Sequence, residues 1–377
     1  MKMTENQEML MKILGEFIDQ EVKPRLKELN MVDEYPFWMR DRAAELGLMG
    51  IVVPEEYGGA GESLTTLIMM VMEAGKVNNV LGSLVNSSLT TLKMLRIGNK
   101  QQIETFLPRM LDEGRFAGMA WTEPAAGSDA RAVQTTAVLD GDEWVLNGTK
   151  TFISYRNAVG LWQVSARTVD ENGKEGISAF YIDAEAPGLS YGTHYTKFGF
   201  NGSDTGDIYF RNCRVPKWAV IGEVNKGLST ALSILDASRL TIAARGLGFA
   251  KGAFEQSFAY AKERKQFGRA ICENQIIQHY FADMITEIEA GEALLYAYAE
   301  KVDAGLPLGK GGSVAKLYCS EVAKRVTDKA ISICGGMGLL DDYGLDHFYK
   351  DSRTLTITEG TSEIQRNIIY KILQKEY

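Results

Sequence analysis

Hydrophobic residues in the first part of the chain recur at helical spacing. A capping-box sequence at Thr4 and Gln7 precedes apolar residues that share one helical face. These residues are Leu10, Ile13, Leu14, Phe17, Ile18 and Val22. Helical patterning returns at residues 64–113, after a glycine-rich loop at 54–61. The first third of the chain is therefore predicted to be helical.

The pattern changes near Phe116, where short β-prone runs replace the helical spacing. Asp-Gly or Asn-Gly pairs at 140–141, 147–148 and 172–173 are typical of tight hairpin turns between such runs. Strands do not alternate with helices, which disfavours a doubly wound dinucleotide-binding fold. The pattern predicts an antiparallel β domain that ends near Val220.

Helical spacing resumes at Gly227 and continues to the end of the chain. One predicted face carries Ile277, Phe281, Met284, Ile285 and Ile288, and another carries Val314, Leu317, Tyr318 and Val322. Long amphipathic helices with short glycine-rich turns favour an antiparallel bundle. The predicted class is therefore a multidomain α+β protein, with a helical domain at 1–115, a β domain at 116–225 and a helical bundle at 226–377.

Composition narrows the classes of function. The chain has 377 residues, of which 45% are hydrophobic, and a net charge of −8, so we expect no nucleic-acid partner. No stretch has the length and apolarity of a membrane span, and the start lacks a signal-peptide core. Four well-separated cysteines indicate free thiols and a cytoplasmic location. Three scattered histidines predict no metal site.

Four sequence blocks carry the candidate chemistry. They are MAWTEPAAGSD at 119–129, KTFIS at 150–154, RKQFG at 264–268 and ITEGTSEIQR at 357–366. In this order and spacing, they closely resemble the acyl-CoA dehydrogenase family of flavoenzymes, over nearly the whole chain. The resemblance implies an orthogonal helical domain, a middle β-barrel-like domain and a C-terminal four-helix bundle. It also implies FAD as the cofactor.

The resemblance assigns one set of residues to the flavin ring. It implies that the hydroxyl of Thr122 meets the pyrimidine edge, that Phe152 lies against the ring and that Ser154 lies near N5. Taken alone, Phe152 would be interpreted as a core aromatic residue. The full first set of cofactor residues is Trp121, Thr122, Ser128, Phe152, Ile153 and Ser154.

A second set matches further FAD contacts of the family, and those of Arg264, Gln275 and the glycine turn after Cys334 are made across a subunit interface. It comprises Arg264, Gln266, Phe267, Gln275, Ser332, Cys334, Gly335, Gly336, Thr361, Ser362 and Glu363. Taken alone, these residues have ordinary interpretations: a basic helix end, a glycine C-cap and a capping box at Ser362 and Gln365. The resemblance implies a homo-oligomer, usually a tetramer built as a dimer of dimers.

Glu359 matches the position of the family's catalytic base. Removal of an α proton from an acyl thioester requires a carboxylate in a water-poor pocket and a polarised carbonyl. The resemblance implies that the Glu359 N–H and the flavin ribityl 2′-hydroxyl bind the thioester oxygen. The alternative family position for the base is Ser238 here, which cannot act as a base. Predicted substrate contacts are Ser128, Asp236, Arg239, Thr358 and Gly360.

The chain departs from the family pattern at three places. Tyr155 and Arg156 follow Ser154 where an asparagine and small residues are usual, and Ser332 replaces a glutamine. We hypothesise that Tyr155 and Arg156 bind a polar acyl group or a partner, or are a tolerated loop substitution. Thr358 replaces an aromatic residue, and we hypothesise that it widens the acyl pocket.

The predicted reaction is α,β-dehydrogenation of an acyl-CoA to its trans-2-enoyl-CoA, with electrons passed to electron-transferring flavoprotein. Three alternatives remain open. An enoyl-CoA reductase would run the same step in reverse, and an acyl-CoA oxidase would keep the fold with oxygen as the acceptor. A non-catalytic acyl-CoA-binding scaffold would bind no flavin.

Overall fold

The computed structural model describes residues 3–377, except for the side chains of residues 231–236. The predicted substrate residue Asp236 lies outside the described side chains. Helices form the first third of the chain. They are α1 (Glu5–Phe17), α2 (Leu26–Met31), α3 (Phe37–Glu45), α4 (Leu64–Gly75), α5 (Asn79–Ile97) and α6 (Lys100–Leu111).

The predicted capping box at the start of α1 is confirmed. The Thr4 hydroxyl accepts from the Gln7 N–H at 3.2 Å, and the Gln7 side chain accepts from the Thr4 N–H at 3.0 Å. The predicted apolar face is buried except for Ile13, which is half-buried. A π-helical turn at Ile18–Val22 extends α1, so the same face continues to Val22.

A curled sheet forms the middle of the chain. Its strands are β1 (Phe116–Ala120), β2 (Thr136–Asp140), β3 (Glu143–Ser154), β4 (Val159–Val169), β5 (Glu175–Asp183), β6 (Leu189–His194) and β7 (Thr205–Pro216). The strand order is β1-β4-β2-β3-β7-β6, and β5 also pairs with β4, outside this order. Pairing is antiparallel, as predicted, except that β4 runs parallel to β1 and, at one bridge, to β2.

The predicted hairpin at Asn147 and Gly148 is wrong. β3 runs straight through these residues, whereas the pairs at 140–141 and 172–173 do form the β2–β3 and β4–β5 turns. The pairing register with β7 shifts between Leu146 and Gly148. A Cβ at Gly148 would lie 2.4 Å from the Thr135 hydroxyl. The glycine therefore permits the close approach of Thr135, while the extra residue of the register shift lies on β7.

The last part of the chain is helical, as predicted. It contains α7 (Gly227–Glu263), α8 (Gln275–Asp303), α9 (Gly311–Cys334), α10 (Asp346–Leu355) and α11 (Ser362–Glu376). A two-stranded hairpin, β8 (Lys265–Gln266) and β9 (Arg269–Ala270), separates α7 from α8. Helix α7 packs against α4, α8 and α9, which joins the N-terminal helices to the bundle.

The predicted apolar face of α9 is largely wrong. Val314, Leu317 and Tyr318 are half-buried, and only Val322 of the predicted set is buried. The buried face instead carries Ala315, Lys316, Cys319, Ala323, Val326 and Ala330. Small residues allow α9 to approach α7 closely: a Cβ at Gly246 would lie 3.3 Å from the Cys319 carbonyl oxygen. Hydrophobicity therefore misidentified the face, because close helix packing selects small side chains.

A histidine at the junction between α2 and α10 makes stability depend on pH. Burial lowers the pKa of His347 to about 4, and its Nδ1 lies 3.2 Å from the Asn30 side-chain nitrogen. The folded-state pKa is below the unfolded value, so the stabilisation is present above about pH 6.5 and lost as pH falls towards 4.

We expect His347→Gln to reduce the acid sensitivity of the fold. Between pH 7 and pH 5, the wild type should lose about 2 kcal/mol more unfolding free energy than the variant, because only the wild type must take up this proton on unfolding. Urea titrations of both proteins at both pH values measure this difference. Equal losses in the two proteins would contradict the assignment of this proton to His347.

Among the described residues, no helix combines the length and apolarity needed to cross a bilayer.

Candidate active site

A cleft of about 530 Å³ opens between the β domain and α10. Phe152 and Ser154, at the end of β3, line one side, and Thr354 and Thr358 line the other. The remaining lining residues are His194, Tyr195, Thr196, Lys197, Phe198, Gly199, Phe200 and Thr205. The volume is that of a small-molecule or cofactor site.

The aromatic side chains of the cleft are unusually exposed. Phe152 is 68% exposed and Phe198 is 61% exposed. Phe152 also has a φ of 57°, a left-handed conformation that is uncommon for a bulky residue. Exposed rings that line a concave surface indicate a flat apolar ligand that covers them.

A buried hydrogen bond fixes the far wall of the cleft to α10. The Asp351 carboxylate accepts from the Phe200 N–H at 2.6 Å. Burial raises the pKa of Asp351 to about 7, although the Phe200 N–H and Arg245 act in the opposite direction. Phe200 itself has a φ of 61° and lies beneath the Arg245 guanidinium, 5.1 Å from the ring centroid.

A buried ion pair joins the 119–129 block to β3. Lys150 Nζ donates to Glu123 Oε1 at 2.7 Å and to Ser165 Oγ at 3.0 Å, and the two charged side chains are 0% and 3% exposed. Glu123 also accepts from the backbone N–H groups of Gln134 and Thr135.

The charge state of this pair follows from its surroundings. Burial lowers the pKa of Lys150 to about 8, with Glu123 partly offsetting it. Burial alone would raise the pKa of Glu123, but Lys150 more than offsets it and holds that pKa below its usual value. The ion pair therefore secures the strand end that carries Trp121 and Thr122.

Trp121 and Thr122 do lie beside the KTFIS strand, as predicted. The Thr122 carbonyl accepts from the Thr151 N–H at 2.8 Å, and Ser154 Oγ shares a hydrogen bond with Thr205 Oγ1 at 2.9 Å. The Ile153 side chain is buried in the core, so only its backbone can face the cleft. Ser128 is exposed on the loop that follows Thr122.

Glu359 lies on a turn between α10 and α11 with a left-handed backbone. Its φ is 52°, and that of Gly360 is 93°. Glu359 Oε2 and the neighbouring Thr358 Oγ1 are buried and have no hydrogen-bond partner among the described residues. The Glu359 N–H likewise donates to none of the described residues. This turn therefore presents an unengaged carboxylate oxygen and an unengaged N–H beside the cleft.

Positive charges surround this turn. Burial lowers the pKa of Lys93 on α5 to about 8, and the nearby Glu359 charge partly offsets that effect. Arg239 is 5% exposed and its charge lowers the pKa of Lys316, whose amine contacts the same turn. The predicted substrate residue Arg239 is therefore near enough to Lys316 to affect its charge, and Lys316 contacts the turn that carries Glu359.

The second predicted set does not line the cleft. Arg264, Gln266, Phe267 and Gln275 are exposed around the β8–β9 hairpin, with Phe267 98% exposed. The residues at the end of α9 are also exposed, except Cys334: Ser332, Gly335 and Gly336. Within one chain, the residues of the β8–β9 hairpin and of the end of α9 therefore do not join Phe152 and Thr358 in lining the cleft.

The predicted capping box at Ser362 is wrong by one position. Thr361 caps α11 by accepting from the Ile364 N–H at 3.3 Å. Ser362 instead donates to Glu321 on α9 at 2.7 Å, and Glu363 is exposed. Gln365 points back to the turn, where its amide donates to the carbonyls of Glu359 and Gly360.

Arg156 is buried and Tyr155 is half-buried, and both side chains are engaged within the fold. Arg156 pairs with Asp204 at 2.8 Å and donates to the carbonyls of Gly192 and Asp207. Tyr155 donates to Ser83 on α5 at 2.7 Å. These contacts join the end of β3 to neighbouring elements, which favours the structural interpretation of Arg156 over recognition of an acyl group.

Three family models cover this architecture in order. They are "Acyl-CoA dehydrogenase, N-terminal domain" at residues 4–114, "middle domain" at 118–213 and "C-terminal domain" at 225–374. The chain belongs to the acyl-CoA dehydrogenase family. As a member of this family, it is an FAD-binding oxidoreductase.

Relatives with differently named activities resemble the chain to a similar degree. It is 39% identical to acryloyl-CoA reductase (NADH) of Anaerotignum propionicum, covering 99% of this chain and 95% of that protein. It is 36% identical to an acyl-CoA dehydrogenase of Bacillus subtilis, covering 99% of both. It is 37% identical to the caffeyl-CoA reductase–Etf complex subunit CarC of Acetobacterium woodii, covering 100% of both.

Solved structures of the family share the fold. Butyryl-CoA dehydrogenase of Megasphaera elsdenii matches with a TM-score of 0.94 and 31% identity over 99% of both chains. A glutaryl-CoA dehydrogenase of Mycobacterium smegmatis, solved with FADH2, matches with a TM-score of 0.92 and 26% identity over 99% of this chain and 95% of that one.

The residues of the cleft fit the flavin of this family. The exposed rings of Phe152 and Phe198 provide an apolar wall. The hydroxyl groups of Ser154 and Thr205 lie along the same cleft and can exchange hydrogen bonds with polar ring atoms.

Sequence reasoning missed the residues that support the site from behind. Glu123 and Lys150 lay inside quoted blocks, but nothing indicated that they pair with each other. Lys316 had a usable signal, since it stands between the small residues Ala315 and Cys319 on a helix. Lysine is almost never fully buried without a partner, so its position predicts one.

Proposed function

We propose that this protein oxidises or reduces the α,β carbon–carbon bond of an acyl-CoA thioester, with Glu359 as the acid–base residue. This proposal rests on Glu359 Oε2 and the Glu359 N–H, which make no hydrogen bond to the described residues. Both groups lie on the turn between α10 and α11, beside the flavin cleft. A carboxylate placed this way can exchange a proton with the α carbon. The adjacent N–H can bind the thioester oxygen and stabilise the charge that develops there.

The other predicted residues hold the reactants in place. The flavin ring is held by Phe152, Thr122 and Ser154. The space for the acyl-CoA near Glu359 is limited by Thr358 and Arg239. FAD, when bound, supplies the acceptor or donor of the β hydride. Burial of Glu359 Oε2 keeps water away from the oxygen that exchanges the α proton. Holding the flavin and the thioester in the correct relative position accounts for much of the reaction rate.

Reduction of an enoyl-CoA is a second candidate direction for the same site. It is favoured by the names of two relatives, an acryloyl-CoA reductase and a caffeyl-CoA reductase subunit. In that direction, protonated Glu359 delivers the α proton. The Etf complex named for the Acetobacterium woodii relative supports electron-transferring flavoprotein as the redox partner.

The exposed second set supports a homo-oligomer in this proposal. Arg264, Gln266, Phe267 and Gln275 would reach the FAD of a neighbouring subunit, together with the glycine turn at the end of α9. An exposed Phe267 in a left-handed conformation suits a contact that forms only on assembly. The free thiols of all four cysteines support a cytoplasmic location.

Product analysis in both directions tests the proposed function. The purified holoenzyme is incubated with each acyl-CoA and an artificial electron acceptor, and separately with each enoyl-CoA and a chemical reductant. Formation of the paired enoyl- or acyl-CoA, detected by mass spectrometry, is expected in at least one direction. Flavin-containing protein that converts no thioester in either direction would refute the proposal.

We expect Thr358→Tyr to narrow the acyl pocket. Thr358 lines the cleft, and a phenol ring would occupy space beside the acyl chain. The variant should lose about tenfold or more in kcat/KM for branched, cyclic or aryl acyl-CoAs but little for short straight chains. Thr358→Ser, which keeps the space and the hydroxyl, is the control. An unchanged substrate profile in Thr358→Tyr would contradict the role of Thr358 in pocket width.

A further inference from the structure

The turn that carries Glu359 is held by two buried side chains outside the predicted site. Lys316 on α9 is 0% exposed, and its Nζ donates to the Gly360 carbonyl at 2.7 Å. Gln365 on α11 is also 0% exposed, and its amide nitrogen donates to the Glu359 and Gly360 carbonyls, both at 3.0 Å. Two elements therefore converge on the same pair of backbone carbonyls.

Lys316 and Gln365 hold the turn through its backbone carbonyls and not through the groups that would react. Neither Lys316 nor Gln365 bonds to Glu359 Oε2 or to the Glu359 N–H. The turn needs such support because both of its residues have positive φ, which the surrounding structure must enforce for a non-glycine residue. A further contact, from Ser362 to Glu321, fixes the end of the same turn to a residue five positions after Lys316 on α9.

Burying a lysine at this position costs free energy, so its presence indicates a specific role. Burial lowers the pKa of Lys316 to about 8, with Glu359 partly offsetting it and Arg239 acting in the same direction as burial. An apolar residue would suit this buried face of α9 better, so a charge-assisted bond to a carbonyl is the feature that the lysine adds.

We infer that Lys316 is a positioning residue for the acid–base step: with Gln365, it locks the Glu359–Gly360 turn so that the carboxylate and N–H meet the thioester. This inference rests on the proposed function of Glu359. It assigns Lys316 no contact with substrate or flavin. Lys316 acts on the geometry of the base, so its loss should affect chemistry more than binding.

Lys316→Met tests this role. Methionine matches the length and suits an apolar environment, and the Gly360 carbonyl keeps its bond from Gln365. The probe is whichever of propionyl-, butyryl-, isobutyryl-, 3-phenylpropionyl- and glutaryl-CoA bleaches the wild-type flavin fastest under anaerobic conditions. The saturating rate of bleaching should fall about 10–100-fold, while the apparent dissociation constant changes less than about threefold.

Hydrogen exchange measures the mobility of the Glu359–Gly360 turn directly and does not depend on activity. Amide hydrogen exchange in a peptide spanning residues 356–363 should accelerate in Lys316→Met, because the turn loses one of its anchors. Lys316→Arg, which keeps a charged donor, should recover part of the bleaching rate. Gln365→Leu removes the other anchor and should lower the rate in the same way if Lys316→Met does not fold.

Lys251→Met is the matched control, because it removes a lysine of α7 that pairs with Glu292 on α8 and makes no bond to the Glu359–Gly360 turn. It should bleach at the wild-type rate. A wild-type bleaching rate per bound flavin in Lys316→Met, or in Gln365→Leu where Lys316→Met does not fold, would overturn the inference. If wild type and Glu359→Gln bleach equally, the proposed function fails instead, which separates the two failures.

Discussion

Replacement of Glu359 by glutamine is expected to slow anaerobic flavin bleaching by about a thousandfold or more. The amide keeps the size of the side chain but cannot take up the α proton, and general acid–base groups typically contribute factors of this order. Because Glu359 Oε2 bonds to none of the described residues, the change breaks no internal hydrogen bond of that atom. Stopped-flow spectroscopy with the best acyl-CoA probe measures the rate.

Flavin content and thermal stability provide the control for this variant. Flavin content should equal that of the wild type, since Glu359 carries no structural bond through its carboxylate oxygen Oε2. Thermal stability should fall only slightly, because the Glu359 charge partly offsets the burial of Lys93 and Lys316. Glu171→Gln, which changes an exposed acidic residue on the β4–β5 turn, should bleach at a rate close to that of the wild type. Bleaching of Glu359→Gln within about tenfold of the wild-type rate would remove Glu359 from the proposed role.

Loss of Lys150 should produce the largest effect on stability. Lys150→Met leaves the Glu123 carboxylate buried with only backbone donors, and an uncompensated buried charge costs about 3–5 kcal/mol. The affected strand end carries Trp121 and Thr122, so flavin affinity should fall with stability. Urea unfolding of the apoprotein and fluorescence titration with FAD measure the two effects.

A double variant separates lost charge balance from lost packing. Glu123→Gln combined with Lys150→Met removes both charges, and the new amide oxygen still accepts from the Gln134 and Thr135 N–H groups. It should recover most of the stability lost in the single variant. Lys174→Met, an exposed residue on the β4–β5 turn, is the neutral control. A double variant as unstable as the single one would contradict the charge argument.

Local sequence signals predicted the elements well where local energetics decide them. The Thr4 capping box, the amphipathic α1 and the turns at 140–141 and 172–173 depend on neighbours a few residues apart, and all four are confirmed. The Asn147–Gly148 pair gives the same local signal, but β3 continues through it, and Gly148 lies against Thr135. Thr135 and Gly148 are separated in sequence, so turn propensity does not predict their contact.

The same distinction applies to the candidate site. Short motifs identified Phe152, Ser154, Thr358 and Glu359, because the chemistry of each is contained in a few adjacent residues. The supports lie far away in sequence: Lys316 is 44 residues from Gly360, and Glu123 is 27 from Lys150. The sequence contains these residues, but only the packing of α9 and β3 pairs them. The α9 face was wrong for a related reason, since close packing against α7 selected small residues over large apolar ones.

The most direct test of the account is an anaerobic titration of the flavin absorption band of the purified protein. Saturated acyl-CoAs with short, long, branched, cyclic, aryl and carboxylated chains are added in turn, and reduced protein is titrated with the matching enoyl-CoAs. The account predicts a protein-bound flavin band that at least one acyl-CoA bleaches, or that at least one enoyl-CoA restores. No flavin band after addition of FAD, or a band that no thioester alters in either direction, would contradict it.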